Sequence, residues 1–210
     1  MLKKLNRATS GTVQKYPVKV LQFGEGNFLR AFVDWMVDVM NEKACFNGSV
    51  QIIQPLANGL GKLINDQNGL YHVVLNGIQN GEVLTETRLI TCVTEVINPY
   101  DDYKRFIKLA ENPDLEFIVS NTTEAGIAFD SSDHSIENLP TSFPGKLTAL
   151  LHHRFQFFKG SNDKAPTVIP CELIDKNGDE LRKIILHYAQ HWQLSSEFKQ
   201  WLTDHATFCN

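Results

Sequence analysis

The sequence predicts an α/β fold: a doubly wound, mainly parallel sheet with an inserted β-hairpin. Three observations carry that expectation. Short β-rich apolar runs alternate with segments of helical periodicity. The first run passes through Gly24-Glu25-Gly26 straight into a helix. Asn80-Gly81, a strong hairpin signal, lies between two β-rich runs that follow the second strand.

Residues 1–16 are a polar lead-in, and 17–23 read as a strand stopped by the glycine turn. Asn27 is a good helix cap, and Phe28, Leu29, Ala31, Phe32, Trp35, Met36, Val39 and Met40 recur at helical spacing behind it. Residues 49–53 form the second strand. Residues 55–69, with Pro55, Gly59, Gly61 and Gly69, read as a loop. Residues 70–75 and 83–96 are the hairpin strands. A helix over 99–111 ends at Asn112-Pro113. Then come a strand at 115–120, a polar loop at 130–145, a helix at 146–158 and a strand at 167–171. Asn177-Gly178-Asp179 opens a helix running to about Trp192, and 195–205 form the last one.

The chain has 210 residues, 42% of them hydrophobic and 21% charged, which is ordinary globular usage. Thirteen Phe and three Trp supply a core. A net charge of −4 lacks the basic footprint of a nucleic-acid binder. No apolar run approaches the ~20 residues of a membrane helix, and the N-terminus shows no secretory pattern, so a cytoplasmic location is expected. Cys45, Cys92, Cys171 and Cys209 form no C-x-x-C pair, which excludes a zinc ribbon or a thioredoxin-like motif. They are expected to be reduced and mostly buried.

Gly24-x-Gly26 lies where backbone amides and a helix N-terminus attract an anion, and where glycines let a pyrophosphate approach closely. The third glycine of the dinucleotide fingerprint falls on Leu29, so this spacing fits both a cofactor turn and a plain turn. The second strand ends in Gln54, neither the acid that holds a ribose nor an Arg for a 2′-phosphate, which leaves NAD and NADP both open. Ser120-Asn121-Thr122-Thr123-Glu124 follows a strand at its carboxyl end, as a ligand loop or a polar turn would. Asn177 is either a donor to a reacting oxygen or part of a helix-opening turn. His187 and His191 have metal-like spacing without an H-E-x-x-H pattern, and a solvated helix face accounts for them more simply. No Lys or Tyr stands out as a general base.

Residues 22–32, Gln22-Phe23-Gly24-Glu25-Gly26-Asn27-Phe28-Leu29-Arg30-Ala31-Phe32, resemble the N-terminal signature of the long-chain mannitol dehydrogenase family. Residues 23–35, 120–126 and 170–175 resemble its sugar-acid branch. So do residues 66–71, Lys146-Leu147-Thr148 and Tyr188-Ala189-Gln190-x-Trp192. The resemblance implies a Rossmann-type N-terminal domain over residues 1–210 that binds NAD. It also implies a helical C-terminal catalytic domain outside this chain, as its partner within the same protein. The implied activity is reversible, metal-free reduction of the ketone of D-tagaturonate to D-altronate in hexuronate catabolism. Gly24, Gly26, Asn27 and Phe28 map onto the cofactor turn. Asn121, Thr122, Thr123 and Glu124 map onto the cofactor-side loop, and Gln54 joins them from the second strand. Asn177 maps onto the family's oxyanion-holding Asn. Glu172-Leu173 stands where mannitol dehydrogenases carry Asp-Asn. The family's catalytic Lys motif has no match here, so the isolated chain is expected to be inactive. The alternatives are a stand-alone nucleotide-binding module, or a relative acting on fructuronate or a polyol.

Overall fold

Alternate residues of the central strands are buried on opposite sides, as strands covered on both faces require. In the computed structural model, residues 4–13 and 16–210 are described, apart from the side chains of Gln79 and Glu124. After a short helix α1 (Arg7–Ser10), β1 (Val18–Phe23) leads into α2 (Asn27–Lys43) and β2 (Ser49–Ile53). Next come α3 (Gly61–Asp66), β3 (Tyr71–Gln79), β4 (Glu82–Ile90), β5 (Val93–Ile97) and α4 (Tyr103–Lys108). The chain continues through β6 (Phe117–Ser120), α5 (Phe143–Phe157), β7 (Thr167–Pro170), α6 (Asn177–His191), α7 (Ser196–Asp204) and β8 (Thr207–Phe208).

Six strands form one sheet in the order β5-β2-β1-β6-β7-β8, and every pairing in it is parallel. The order reverses between β1 and β6, the switch point where sheets of this kind open a ligand crevice. Phe23 pairs with both Ile53 and Ser120, and Ser120 pairs with Pro170, so these strand ends lie level. Leu21, Phe23, Ile53 and Ile118 face a core shared with Phe106, Phe143, Leu147, Ile185 and Phe198. Val20, Ile52 and Val119 face the other way, against Leu29, Val33 and Val37 of α2 and Tyr71 and Ile90 of the hairpin.

The hairpin pairs antiparallel from Tyr71↔Ile90 to Gln79↔Glu82, with Asn80 and Gly81 at φ 53° and 83° as a type I′ turn requires. The expected second hairpin run is in fact two strands. Asp38 Oδ1 accepts from both the N–H and the hydroxyl of Thr91, the chain turns there, and β5 enters the main sheet beside β2. Three further expectations need correction. The supposed loop at 55–69 contains α3. The helix expected at 99–111 is only α4 and a 3-10 turn, because Asp102 caps it late by accepting from Arg105 N–H. α5 starts earlier than read, where Ser142 accepts from Gly145 N–H and Pro144 fits the first turn. β8 is too short to show a pattern in sequence.

α2 is helical as its spacing predicts, but its buried stripe is Leu29, Val33, Asp34, Val37 and Asp38. Phe28, Phe32 and Met40 are exposed. Only Cys92 among the thiols is fully buried; Cys45 is exposed, and Cys171 and Cys209 are half-buried, all four free. At the amino ends of the strands, buried Arg154 donates to the carbonyls of Lys164 (2.6 Å), Ala110 (2.8 Å), Asn112 (2.7 Å) and Leu115 (3.1 Å). Burial pushes its guanidinium down to about 10. Among the described residues no helix is long and apolar enough to cross a membrane.

Candidate functional site

The two glycines of the turn do different work. Gly24 N–H donates to Ile53 O (3.0 Å) and Asn121 N–H donates to Phe23 O (3.1 Å), tying the turn to both neighbouring strands. Gly24 has φ +124°, and a Cβ there would stand 3.0 Å from Asn121 O and 3.3 Å from Leu29 Cδ1. The fold itself therefore needs that glycine. Gly26 has φ −68° and ψ 165°, which any residue adopts, and a Cβ there would meet nothing within 4 Å. Among the described residues nothing requires its bareness. Gly26 is the cap of the 17-residue helix α2 and offers no side-chain cap bond. The positive helix end, with its leading amides, is thus open to an anion. Arg30 stiffens the turn, its Nε donating to Glu25 O (2.8 Å) and its Nη2 to Asn27 Oδ1 (2.6 Å). Phe28 and Phe32, each 49% exposed, stack at 5.3 Å and form an apolar ledge beside it.

Gln54 sits at the end of β2 but faces its own loop. Its Nε2 donates to Leu56 O (2.7 Å) and Ala57 O (3.1 Å), and its Oε1 accepts from Gly61 N–H (3.1 Å). Both ends of this buried amide are thus occupied by its own loop. Beyond it a groove of about 530 Å³ runs between Asn58, Lys62, Asn98 and Asp101, at the carboxyl ends of β2 and β5.

The loops after β6 and β7 meet on a residue whose role the sequence left open. The buried Glu172 carboxylate accepts from Thr122 N–H (2.8 Å) and Thr122 Oγ1 (3.2 Å) on one oxygen. Ser120 Oγ (3.2 Å) and Asn177 Nδ2 (3.0 Å) reach the other. Asn177 Nδ2 also donates to Glu172 O (3.1 Å), and its buried Oδ1 has no partner. Both contacts of the Asn177 amide nitrogen therefore go to Glu172, as expected where a buried carboxylate gathers the donors within reach. Asn121 Nδ2 donates to Cys171 O (2.8 Å), joining the two loops again. Thr123 is exposed with φ +111°, a strained value for a branched residue. The Glu124 side chain lies outside the described residues.

Two turns along α2, fully buried Asp34 accepts from Tyr71 Oη (2.5 Å) and Gln22 Nε2 (3.5 Å), and Gln22 Nε2 also donates to Gly24 O (3.1 Å). Burial raises this carboxyl to about 7 against the opposing pull of those hydrogen bonds. The hairpin is thereby bolted to the glycine turn, with the Arg30 guanidinium 5.3 Å from the Tyr71 ring centre. The remaining motif residues make internal contacts. Lys146 Nζ donates to Thr141 O (2.6 Å) and Tyr100 Oη (3.2 Å), and burial lowers it to about 8. Tyr188 Oη and Trp192 Nε1 hold Asp133 through its carboxylate (2.9 Å) and its carbonyl (2.7 Å). The Phe129 ring stacks on His187 at 4.0 Å and meets His191 edge-on at 5.3 Å. Among the described residues no three His, Cys, Asp or Glu side chains gather as a metal site.

Residues 18–210 match the family model of the mannitol dehydrogenase Rossmann domain. The altronate oxidoreductase of Bacillus subtilis (strain 168) is 46% identical over 209 residues, covering 100% of this chain and 44% of that protein. That of Bacteroides thetaiotaomicron is 47% identical over 204 residues, covering 97% and 42%. The chain thus spans less than half the length of these relatives. Among solved structures, a Pseudomonas fluorescens mannitol 2-dehydrogenase in complex with NAD and D-mannitol superposes with a TM-score of 0.76 at 18% identity, over 98% of this chain and 46% of the other. A substrate-free D-sorbitol dehydrogenase superposes equally well. The sheet order, the glycine turn and these matches agree: the chain belongs to the mannitol dehydrogenase family, as its Rossmann domain.

Proposed function

We propose that this chain is the cofactor-holding half of an NAD-dependent oxidoreductase that interconverts D-tagaturonate and D-altronate in hexuronate breakdown in the cytoplasm. Identity of 46–47% to altronate oxidoreductases along the whole chain carries the reading. The bare Gly26 at an uncapped helix start supports the choice of a dinucleotide. The turn Gly24–Asn27 and the first amides of α2 hold the pyrophosphate. Phe28 walls the site, Asn121, Thr122 and Thr123 line the nicotinamide side with Glu124, and Gln54 shapes the ribose loop from below. When bound, the nicotinamide supplies the hydride. Glu172 holds the Asn177 amide nitrogen, and Asn177 meets the reacting oxygen through its Oδ1, the amide atom without a partner. An acid–base group and most of the sugar-acid pocket come from a helical C-terminal domain, in the half of the relatives that has no counterpart here.

Rates with NADH on tagaturonate, fructuronate and fructose, measured on the full-length protein and on residues 1–210 alone, test this. Preference for tagaturonate, with negligible turnover by residues 1–210, is expected. A clear preference for fructuronate or fructose refutes the substrate, and rapid turnover by residues 1–210 refutes the division of labour. Failure to bind NADH at all refutes the cofactor.

A further inference from the structure

We propose that Glu25 selects the cofactor's adenosine ribose, favouring a free 2′-hydroxyl over a 2′-phosphate. This rests on the cofactor reading above and deepens it. In sheets of this kind the ribose lies between the glycine turn and the end of the second strand, and a carboxylate on that second strand usually accepts from its hydroxyls. Here the second-strand position is Gln54, with both ends of its amide held by its own loop. The acid comes from the turn instead. Glu25, between Gly24 and Gly26, is half-buried and reaches across to the β2 side, where its Oε1 accepts from Leu60 N–H (3.3 Å). A Cβ on Gly59 would collide with both the Glu25 carboxylate and the Gln54 side chain, so the two lie side by side around that bare residue. Arg30 Nε grips the Glu25 carbonyl and holds its backbone in place (2.8 Å).

A carboxylate there accepts hydrogen bonds from ribose hydroxyls and repels a phosphate. Of the nearby cations, Arg30 is held by the Glu25 carbonyl and Asn27 Oδ1, and the two on the β2 side have acids of their own. Arg105 pairs with Glu95 at 2.6 Å and Lys62 with Asp66 at 3.4 Å. The Gln54 that leaves the cofactor choice open in the sequence is thus bypassed by a residue two positions past β1.

Titrating NADH and NADPH separately into the intact protein, the Glu25→Gln variant and the Glu25→Asp variant, by fluorescence, tests the proposal. Gln keeps the size of the side chain and an acceptor for Leu60 N–H. The parent protein is expected to prefer NADH. Glu25→Gln should shrink the NADH-to-NADPH affinity ratio about tenfold or more, the size of one charge-assisted hydrogen bond with its repulsion. Glu25→Asp, which keeps the charge, should keep the preference even if the loop packs less well. An unchanged ratio in Glu25→Gln, or equal weakening of both coenzymes, overturns the proposal while leaving the cofactor reading intact. A parent preference for NADPH overturns the proposal together with the choice of NAD. Binding of neither coenzyme by the parent overturns both.

Discussion

Replacing the turn glycines one at a time separates what the fold needs from what the cofactor needs. Gly24→Ala places a Cβ 3.0 Å from Asn121 O at φ +124°, a backbone value that costs an alanine about 1–3 kcal/mol. Backbone atoms hold Gly24 from both sides, so the contact relaxes poorly. A loss of about 2 kcal/mol corresponds to a melting midpoint roughly 4–8 °C lower in a domain of this size. Gly26→Val meets nothing within 4 Å and sits at an extended φ and ψ, so its stability should stay within about 1 kcal/mol of the parent. It nonetheless puts three carbons in front of the α2 amides, where the pyrophosphate must come close. NADH affinity should fall at least about tenfold, because the amide-to-phosphate hydrogen bonds are charge-assisted. Thermal melts and an NADH fluorescence titration on both variants read the two effects independently. A Gly26→Val protein that binds NADH like the parent sinks the assignment of the turn as the cofactor site. A Gly24→Ala protein as stable as the parent sinks the backbone argument.

Other outcomes follow from buried charge. Asp34, with a folded value of about 7 against an ordinary carboxyl near 4, keeps a proton that the unfolded chain releases. Its contribution is full below about pH 4 and lost as pH rises through about 7, so stability should decline between pH 5 and pH 8 on the order of 2 kcal/mol. Asp34→Asn should flatten that slope in urea melts, and parallel slopes would count against the assignment. Glu172→Gln sets an N–H group among the donors that converge on the carboxylate, and should cost about 2–3 kcal/mol. Hydrogen exchange at Thr122 should speed up in that variant, and unchanged protection would show that the clamp does not hold the loop. Arg154→Met leaves four carbonyls without their donor and should cost about 3–5 kcal/mol in chemical denaturation. A loss below about 1 kcal/mol would mean water replaces the guanidinium.

Local rules reach furthest where the signal is carried by neighbours in the chain. The strand–glycine turn–helix at 17–43, the Asn80-Gly81 hairpin and the alternation of strands with helices are all properties of short windows, and the parallel sheet followed from them. The family resemblance likewise rests on contiguous residues, and the whole-chain matches agree with it. Position 54 was legible as lacking an acid, but where its amide points was not. Two misreadings share one cause. The run at 83–96 looked continuous because period and propensity do not say which sheet a strand joins; a bond from Thr91 to Asp38, 53 residues earlier, decides that. The apolar spacing of α2 could not tell that buried Asp34 and Asp38 face the hairpin while Phe28 and Phe32 face out. That Asn177 meets Glu172 was likewise not legible, because the loops that carry them are fixed only once β6 and β7 lie side by side. Periodicity, caps and turns are written in residues a few places apart, so they were readable without coordinates. Burial of charge and the direction of a hydrogen bond depend on groups tens of residues away, and they exist only after the chain has closed around them.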